Sequence, residues 1–269
     1  MALDFSQPKV MGILNVTPDS FSDGGRYAKF DTALRRVEEM VAEGVDIVDV
    51  GGESTRPGAL PVGEAEEVER VVPLVEAICS RFDVPVSVDT TKAAVMTESA
   101  AAGAAMINDV CALQEEGALS SVVKAALPVC LMHMQGQPRT MQIEPRYGSV
   151  EREVYSFLEQ RVAVATEAGI DRHKLLVDPG FGFGKTLAHN LSLLKGLCAF
   201  KALGLPVLVG LSRKSMIGTI LDKPVDQRLF GNLAAASIAL MKGATVLRVH
   251  DVAPTVDVVK THMAVKSAD

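Results

Sequence analysis

Short apolar runs, each cut off by a polar residue and followed by a stretch with helical spacing, recur along the chain. The runs cover residues 9–16, 46–51, 84–89, 106–110, 128–134, 174–177, 206–212 and 245–250. They are rich in Val, Ile and Leu and too short for ordinary helices, so they predict strands. Residues 31–43, 64–80, 92–102, 117–126, 149–168, 187–203, 227–242 and 255–264 carry the helical pattern between and after them. Asp31 or Thr32 can cap the first helix, and Gly44 sits just past its end. Strands that read as nearly continuous apolar runs are buried on both faces, as in a parallel sheet. Eight strand-then-helix units in 269 residues favour a closed (β/α)8 TIM barrel over a doubly wound sheet. No linker or shift in composition interrupts the pattern, so residues 1–269 read as a single domain.

In such a barrel the active site lies where the C-terminal ends of the strands meet. The residues expected there are Asn15, Thr55, Arg56, Asp89, Asn108, Asp109, His133, Asp178, Ser212, Arg213, Lys214, Arg248 and His250. Short polar residues also end strands and cap helices, but a cap needs neither arginine nor lysine. Arg248 and His250 are two apart on a strand and therefore face the same side. A buried arginine needs an anion, and phosphate sites after the last two strands are common in barrels. Arg213, Lys214, Arg248 and His250 thus read as an anion pocket. Asp89, Asn108 and Asp178 supply the opposite chemistry, acceptors for the N–H groups of a heterocycle. Carboxylates on one side and cations on the other suit a polar ring carrying a phosphate tail.

Composition narrows the choice. A hydrophobic fraction of 48% is ample for a large core. A net charge of −6 speaks against a nucleic-acid partner, and the absence of Trp with only 4% aromatics speaks against stacking on single strands. Cys79, Cys111, Cys130 and Cys198 are scattered with no C-x-x-C and read as buried thiols in a reducing compartment. There is no secretory signal pattern and no apolar run of membrane-spanning length, so the expectation is a cytoplasmic protein with no membrane partner. Two short motifs fail on inspection. The stretch 180–186 (GFGFGKT) resembles a Walker A loop, but position 179 is Pro179 rather than glycine, and no G-x-S-x-G surrounds Ser212. His173, His189 and His262 are too dispersed for a zinc site and read as surface or structural residues.

Eight signatures carry a resemblance over essentially the whole chain: 12–25 (GILNVTPDSFSDGG), 46–58 (DIVDVGGESTRPG), 86–92 (VSVDTTK), 107–110 (INDV), 131–136 (LMHMQG), 177–185 (VDPGFGFGK), 212–218 (SRKSMIG) and 248–252 (RVHDV). Together they resemble the bacterial dihydropteroate synthase family. The resemblance implies a TIM-barrel transferase of folate biosynthesis, usually a homodimer and a target of sulfonamides. It would join a dihydropterin diphosphate to 4-aminobenzoate. It implies that Asp89, Asn108, Asp178 and Lys214 bind the pterin and that Thr55, Arg248 and His250 match the diphosphate positions. Asn15 and Asp23 would be the contacts to Mg2+. Phe21, Arg56, Pro57, Phe183, Lys214 and Ser215 would frame the aminobenzoate pocket. Lys214, Arg248 and Asp178 are the catalytic candidates, acting by charge and hydrogen bonding rather than as nucleophiles. Residues 17–29 and 52–63, rich in Gly, Pro, Ser and Asp, are expected to close over substrate and to be poorly ordered without it. A methyltetrahydrofolate-binding barrel would share the acid and amide positions but has less need for the cations. A catalytically silent paralogue would have lost Lys214, Arg248 or Asn15, all of which are present.

Overall fold

The computed structural model describes residues 3–16, 26–54, 61–137 and 140–268. Its strands are β1 (Lys9–Asn15), β2 (Ile47–Gly51), β3 (Val86–Asp89), β4 (Met106–Asp109), β5 (Val129–Met132), β6 (Leu175–Asp178), β7 (Leu208–Val209) and β8 (Val246–Val249). All pair in parallel in the order β6-β5-β4-β3-β2-β1-β8-β7. One parallel bridge between Val177 and Val207 joins β6 to the β7 side and nearly closes the ring. The expected TIM barrel is therefore the observed fold.

Strand alternation builds two cores. Val48, Val50, Val86, Val88, Val129 and Leu131 point outward and pack under the helices. Met11, Ile47, Met106, Cys130, Leu176, Leu208 and Val246 point inward and form a separate apolar floor, against which Leu3 and Phe5 pack. Fully burying side chains of this size contributes roughly 1.5–3 kcal/mol each. In β3, Ser87 stands opposite Asp49 and Met106, buried and with no hydrogen-bond partner for its hydroxyl.

The helices are α1 (Arg26–Ala42), α2 (Glu64–Arg81), α3 (Ala93–Ala101), α4 (Ala118–Ala125), α5 (Val150–Glu167), α6 (Leu187–Gly196), α7 (Ser215–Leu221), α8 (Leu229–Met241) and α9 (Val252–Lys266). Helix α1 begins at Arg26, so Asp31 and Thr32 lie inside it and do not cap it. The sixth helix stops at Gly196, and residues Leu197–Leu203 tighten to 3-10 geometry. The expected strand at 206–212 shrinks to Leu208–Val209, because Pro206 has no N–H to give and the Val207 carbonyl accepts from both Thr245 and Val246. Helix α7 was not foreseen. The thiols also differ from expectation: Cys130 is buried inside the barrel, Cys111 is half-buried, and Cys79 and Cys198 are exposed. Among the described residues no helix is long and apolar enough to cross a membrane.

Candidate active site

The inward register that builds the floor also aims the polar residues of the upper layers. Asp49, Asp89, Asn108, Asp178 and Arg248 all occupy inward positions, whereas Asp109, one residue beyond Asn108, points out. Asp109 accepts from the backbone N–H groups of Cys111 and Leu113 at 2.7 and 2.8 Å and shapes the loop after β4. Burial raises its carboxyl to about 6 in spite of those bonds.

Arg248 is the hub. Its Nε donates to Asp49 Oδ2 at 2.6 Å and its Nη2 to Asp89 Oδ2 at 2.7 Å. Asn108 Nδ2 donates to the same Asp49 oxygen at 3.2 Å. Burial works against the charge on Arg248, but the carboxylates of Asp49 and Asp89 outweigh it and raise its pKa. Asp89 is pushed up to about 7 by burial, against the pull of Arg248. Asp49 was not singled out from the sequence. It lies mid-strand inside the run DIVDVG, wholly buried, and its Oδ1 has no partner. The signal that could have found it is Arg248 itself, because a buried arginine requires a buried acid at a neighbouring inward position.

Asp178 ends β6 and accepts from the Gly180 N–H at 2.7 Å. Burial raises its pKa, opposed by that bond and by Lys214. Lys214 arrives from the loop after β7, donates to the Phe181 carbonyl, and sets its ammonium 4.1 Å from the centre of the Phe183 ring. Burial lowers its pKa to about 8, while Asp178 favours the charged form. His250 Nδ1 lies 3.0 Å from Ser212 Oγ, and the His250 carbonyl accepts from Arg36 at 3.3 Å. Arg213 takes up positive φ (59°) and donates to Asp251 at 2.6 Å.

The four residues expected to form an anion pocket are differently engaged. Arg248 already has two carboxylate partners and Arg213 is drawn out to Asp251, so the cations do not converge on one empty point. Lys214 and His250 border the mouth on the β7 and β8 sides, opposite Asp89 and Asn108. Asn15 stands at the end of β1, where its amide oxygen would lie 3.3 Å from a side-chain carbon placed on Gly51, itself beside Asp89. Ser215 opens α7. Phe21, Asp23, Thr55, Arg56 and Pro57, and the order expected of the two loops that carry them, lie outside the described residues. Among the described residues, no group of three or more His, Cys, Asp or Glu could hold a metal ion.

The pterin-binding enzyme family model matches residues 11–250. A dihydropteroate synthase of Haemophilus influenzae is 57% identical over 266 residues, spanning 99% of this chain and 97% of that protein. The chain belongs to the dihydropteroate synthase family. It is accordingly an enzyme, a transferase of folate biosynthesis. A dihydropteroate synthase of Yersinia pestis, solved as a sulfonamide drug complex, superposes with a TM-score of 0.94 at 55% identity, covering 99% of this chain and 97% of that one. A Xanthomonas albilineans dihydropteroate synthase in complex with 7,8-dihydropteroate gives 0.91 at 45% identity, again covering 99% and 97%.

Proposed function

We propose that this site transfers the 7,8-dihydropterin-6-ylmethyl group from its diphosphate to the amine of 4-aminobenzoate, giving 7,8-dihydropteroate and pyrophosphate. The observation that carries the reading is the convergence of opposite charges at the barrel mouth. Asp89, Asn108 and Asp178 offer acceptors at the ends of β3, β4 and β6, Arg248 bridges Asp49 and Asp89, and Lys214 and His250 stand on the β7 and β8 sides. Asp178 and Asp89 accept from the N–H groups of the pterin ring, and Asn108 can both donate and accept. Lys214 sits against the Phe183 ring and beside Asp178, where it can hold the pterin carbonyl edge and border the aminobenzoate with Phe183 and Ser215. Arg248, held by Asp49, meets the charge that builds on the diphosphate as the C–O bond breaks, together with His250; the family's motif assigns Thr55 the same role. The amine nitrogen then bonds to the methylene carbon and gives up its proton. No side chain need act as a nucleophile.

Mg2+ fits the oxygen chemistry at the end of β1. Asn15 offers an amide oxygen, a hard ligand of the kind Mg2+ prefers, and Gly51 leaves the space beside it open. With Asp23 as the second contact, Asn15 would hold the ion against the diphosphate, where it would offset the leaving group's charge. The family's motif assigns Phe21, Arg56 and Pro57 to the aminobenzoate pocket, where sulfonamides would compete. Four free thiols suit a reducing compartment, which supports a cytoplasmic location.

The exposed apolar side chains of α7, α8 and the segment between them support a homodimer. Ile220, Leu221, Val225, Phe230, Ile238 and Met241 all reach solvent there. The deciding experiment is pyrophosphate release with Mg2+, with the two substrates supplied separately and together. Release at a catalytic rate only with both, blocked by a sulfonamide, is the expected result. Pterin binding by intact protein without turnover would refute the reading.

A further inference from the structure

The lysine of the stretch GFGFGKT touches no exposed anion site. Lys185 turns back under its own loop and is buried to 3% exposure. Its ammonium lies 2.9 Å from His133 Nδ1, 2.9 Å from the Gly180 carbonyl and 3.0 Å from the Phe183 carbonyl. An ammonium carries three N–H donors, and three close acceptors surround this one. Two of them belong to the lysine's own loop after β6 and one to His133 just past β5, so the lysine braces that loop from within and ties it to the neighbouring strand end, where the His133 carbonyl at 3.4 Å adds a longer contact. Other bonds hold other points of the loop: Asn190 accepts from the Gly182 N–H at 2.7 Å, Tyr147 donates to the Gly184 carbonyl at 2.8 Å, Gln142 donates to the Gly182 carbonyl and Lys214 to the Phe181 carbonyl, which leaves the Phe183 carbonyl to Lys185. Phe183 is the residue whose ring faces Lys214, and its backbone carbonyl is held by Lys185.

We infer that Lys185 is a positioning residue that sets the Phe183 wall of the site, and through it the affinity for the aryl amine substrate. It acts from beneath the loop and takes no part in holding phosphate. Neutral His133 is the required partner: burial first, and the nearby ammonium second, depress its pKa to about 3, so Nδ1 is available as an acceptor. The charged groups that face Lys185 are Asp178 and Lys214; burial lowers its own pKa to about 7, with Asp178 opposing. This assignment rests on the proposed reaction, because it names one of that reaction's two substrates.

The test uses the full-length enzyme with Lys185→Met, an unbranched side chain one atom shorter that keeps most of the packing and removes all three donors. Steady-state pyrophosphate release is measured with each substrate varied in turn. The expected result is a KM for 4-aminobenzoate raised about tenfold, and a sulfonamide inhibition constant raised in proportion, from the loss of buried hydrogen bonds. The KM for the pterin diphosphate should change by no more than about threefold. Lys185→Gln, which retains two donors, should fall between the variant and the wild type, and carries the same test if Lys185→Met does not fold. A lower kcat with both KM values unchanged would mean a merely structural lysine and overturn the inference. A pterin diphosphate KM that rises more than the 4-aminobenzoate KM would assign Lys185 to the phosphate and overturn it too. Failure of the wild-type enzyme to turn over would instead strike the proposed reaction, so the two failures are distinguishable.

Discussion

At the scale of single residues, Asp49 sets what Arg248 can do. With its fixed bond to Asp49, Arg248 remains in place when Asp89 turns to a substrate N–H. Replacing Asp49 by Asn leaves a buried guanidinium with one carboxylate where it had two, and should cost about 3 kcal/mol of stability. Urea unfolding reads this as a lower midpoint with unchanged slope; an unchanged midpoint would refute it. The pH profile follows from two shifted groups. In the proposed reaction Asp89 accepts as a carboxylate, and burial raises its pKa to about 7, so the active form accumulates as pH rises through that value. Lys214 works as an ammonium, and burial lowers its pKa to about 8, so the active form is lost as pH rises through that value. A plot of kcat/KM for the pterin diphosphate against pH should therefore be a narrow bell, and Asp89→Asn should remove its rising limb. Most of these side chains were legible in the sequence because they close apolar runs. Asp49 and Lys185 were not, for opposite reasons: one is a polar residue inside a strand, the other lies in a motif whose phosphate-binding form fails at Pro179.

At the scale of elements, the loop after β6 gains its shape from glycines that have no substitute. Gly180 and Gly184 take φ of 69° and 63°, and a side chain on either would overlap a carbonyl oxygen, that of His133 or of Gln135. Gly204 has a similar φ of 64° but open space around it. Gly180→Ala should cost upward of about 3 kcal/mol and abolish turnover, whereas Gly204→Ala should cost only about 1 kcal/mol and leave kcat intact. Thermal unfolding and pyrophosphate release on both variants separate clash from backbone strain, and equal losses would contradict this account. The same contrast explains which elements the sequence disclosed. Strands β1 to β6 and β8 are legible because both faces are buried and their residues are mostly apolar, with a polar residue inside or at the end. Helix α7 was missed because seven residues with Gly218 inside give no measurable period, and its neighbours Arg213, Lys214, Asp222 and Pro224 read as loop. Helix α1 reaches back to Arg26 because helical backbone can extend beyond the apolar stripe that reveals it.

At the scale of the whole molecule, α8 departs from the pattern of a barrel's outer helix. A helix of a barrel's outer layer should be apolar on one side and polar on the other. In α8 the inner face, with Ala235, Ala236, Ala239 and Leu240, is buried as expected. Phe230, Ile238 and Met241 then occupy the outer face, with Phe230 and Met241 exposed to 78% and 77%. Large apolar side chains clustered in this way mark an interface. Ile220, Leu221 and Val225 extend the patch along α7 and the turn that follows. A second copy related by a two-fold axis is the simplest partner, since the patch would then cover itself. Placing an aspartate at Phe230 or Met241 should leave the barrel intact, because neither side chain enters the core. It should weaken association by at least about 30-fold, as expected for a central anchor residue. Sedimentation equilibrium of the wild type and of each variant, with circular dichroism as the control for folding, measures this directly. The mouth of the barrel is formed by β-strand ends and the loops that follow them, so each monomeric variant should keep its KM values even where it loses stability. A wild type that sediments as a monomer, or an aspartate variant that still dimerises as tightly, would mean that this face binds something other than its own copy.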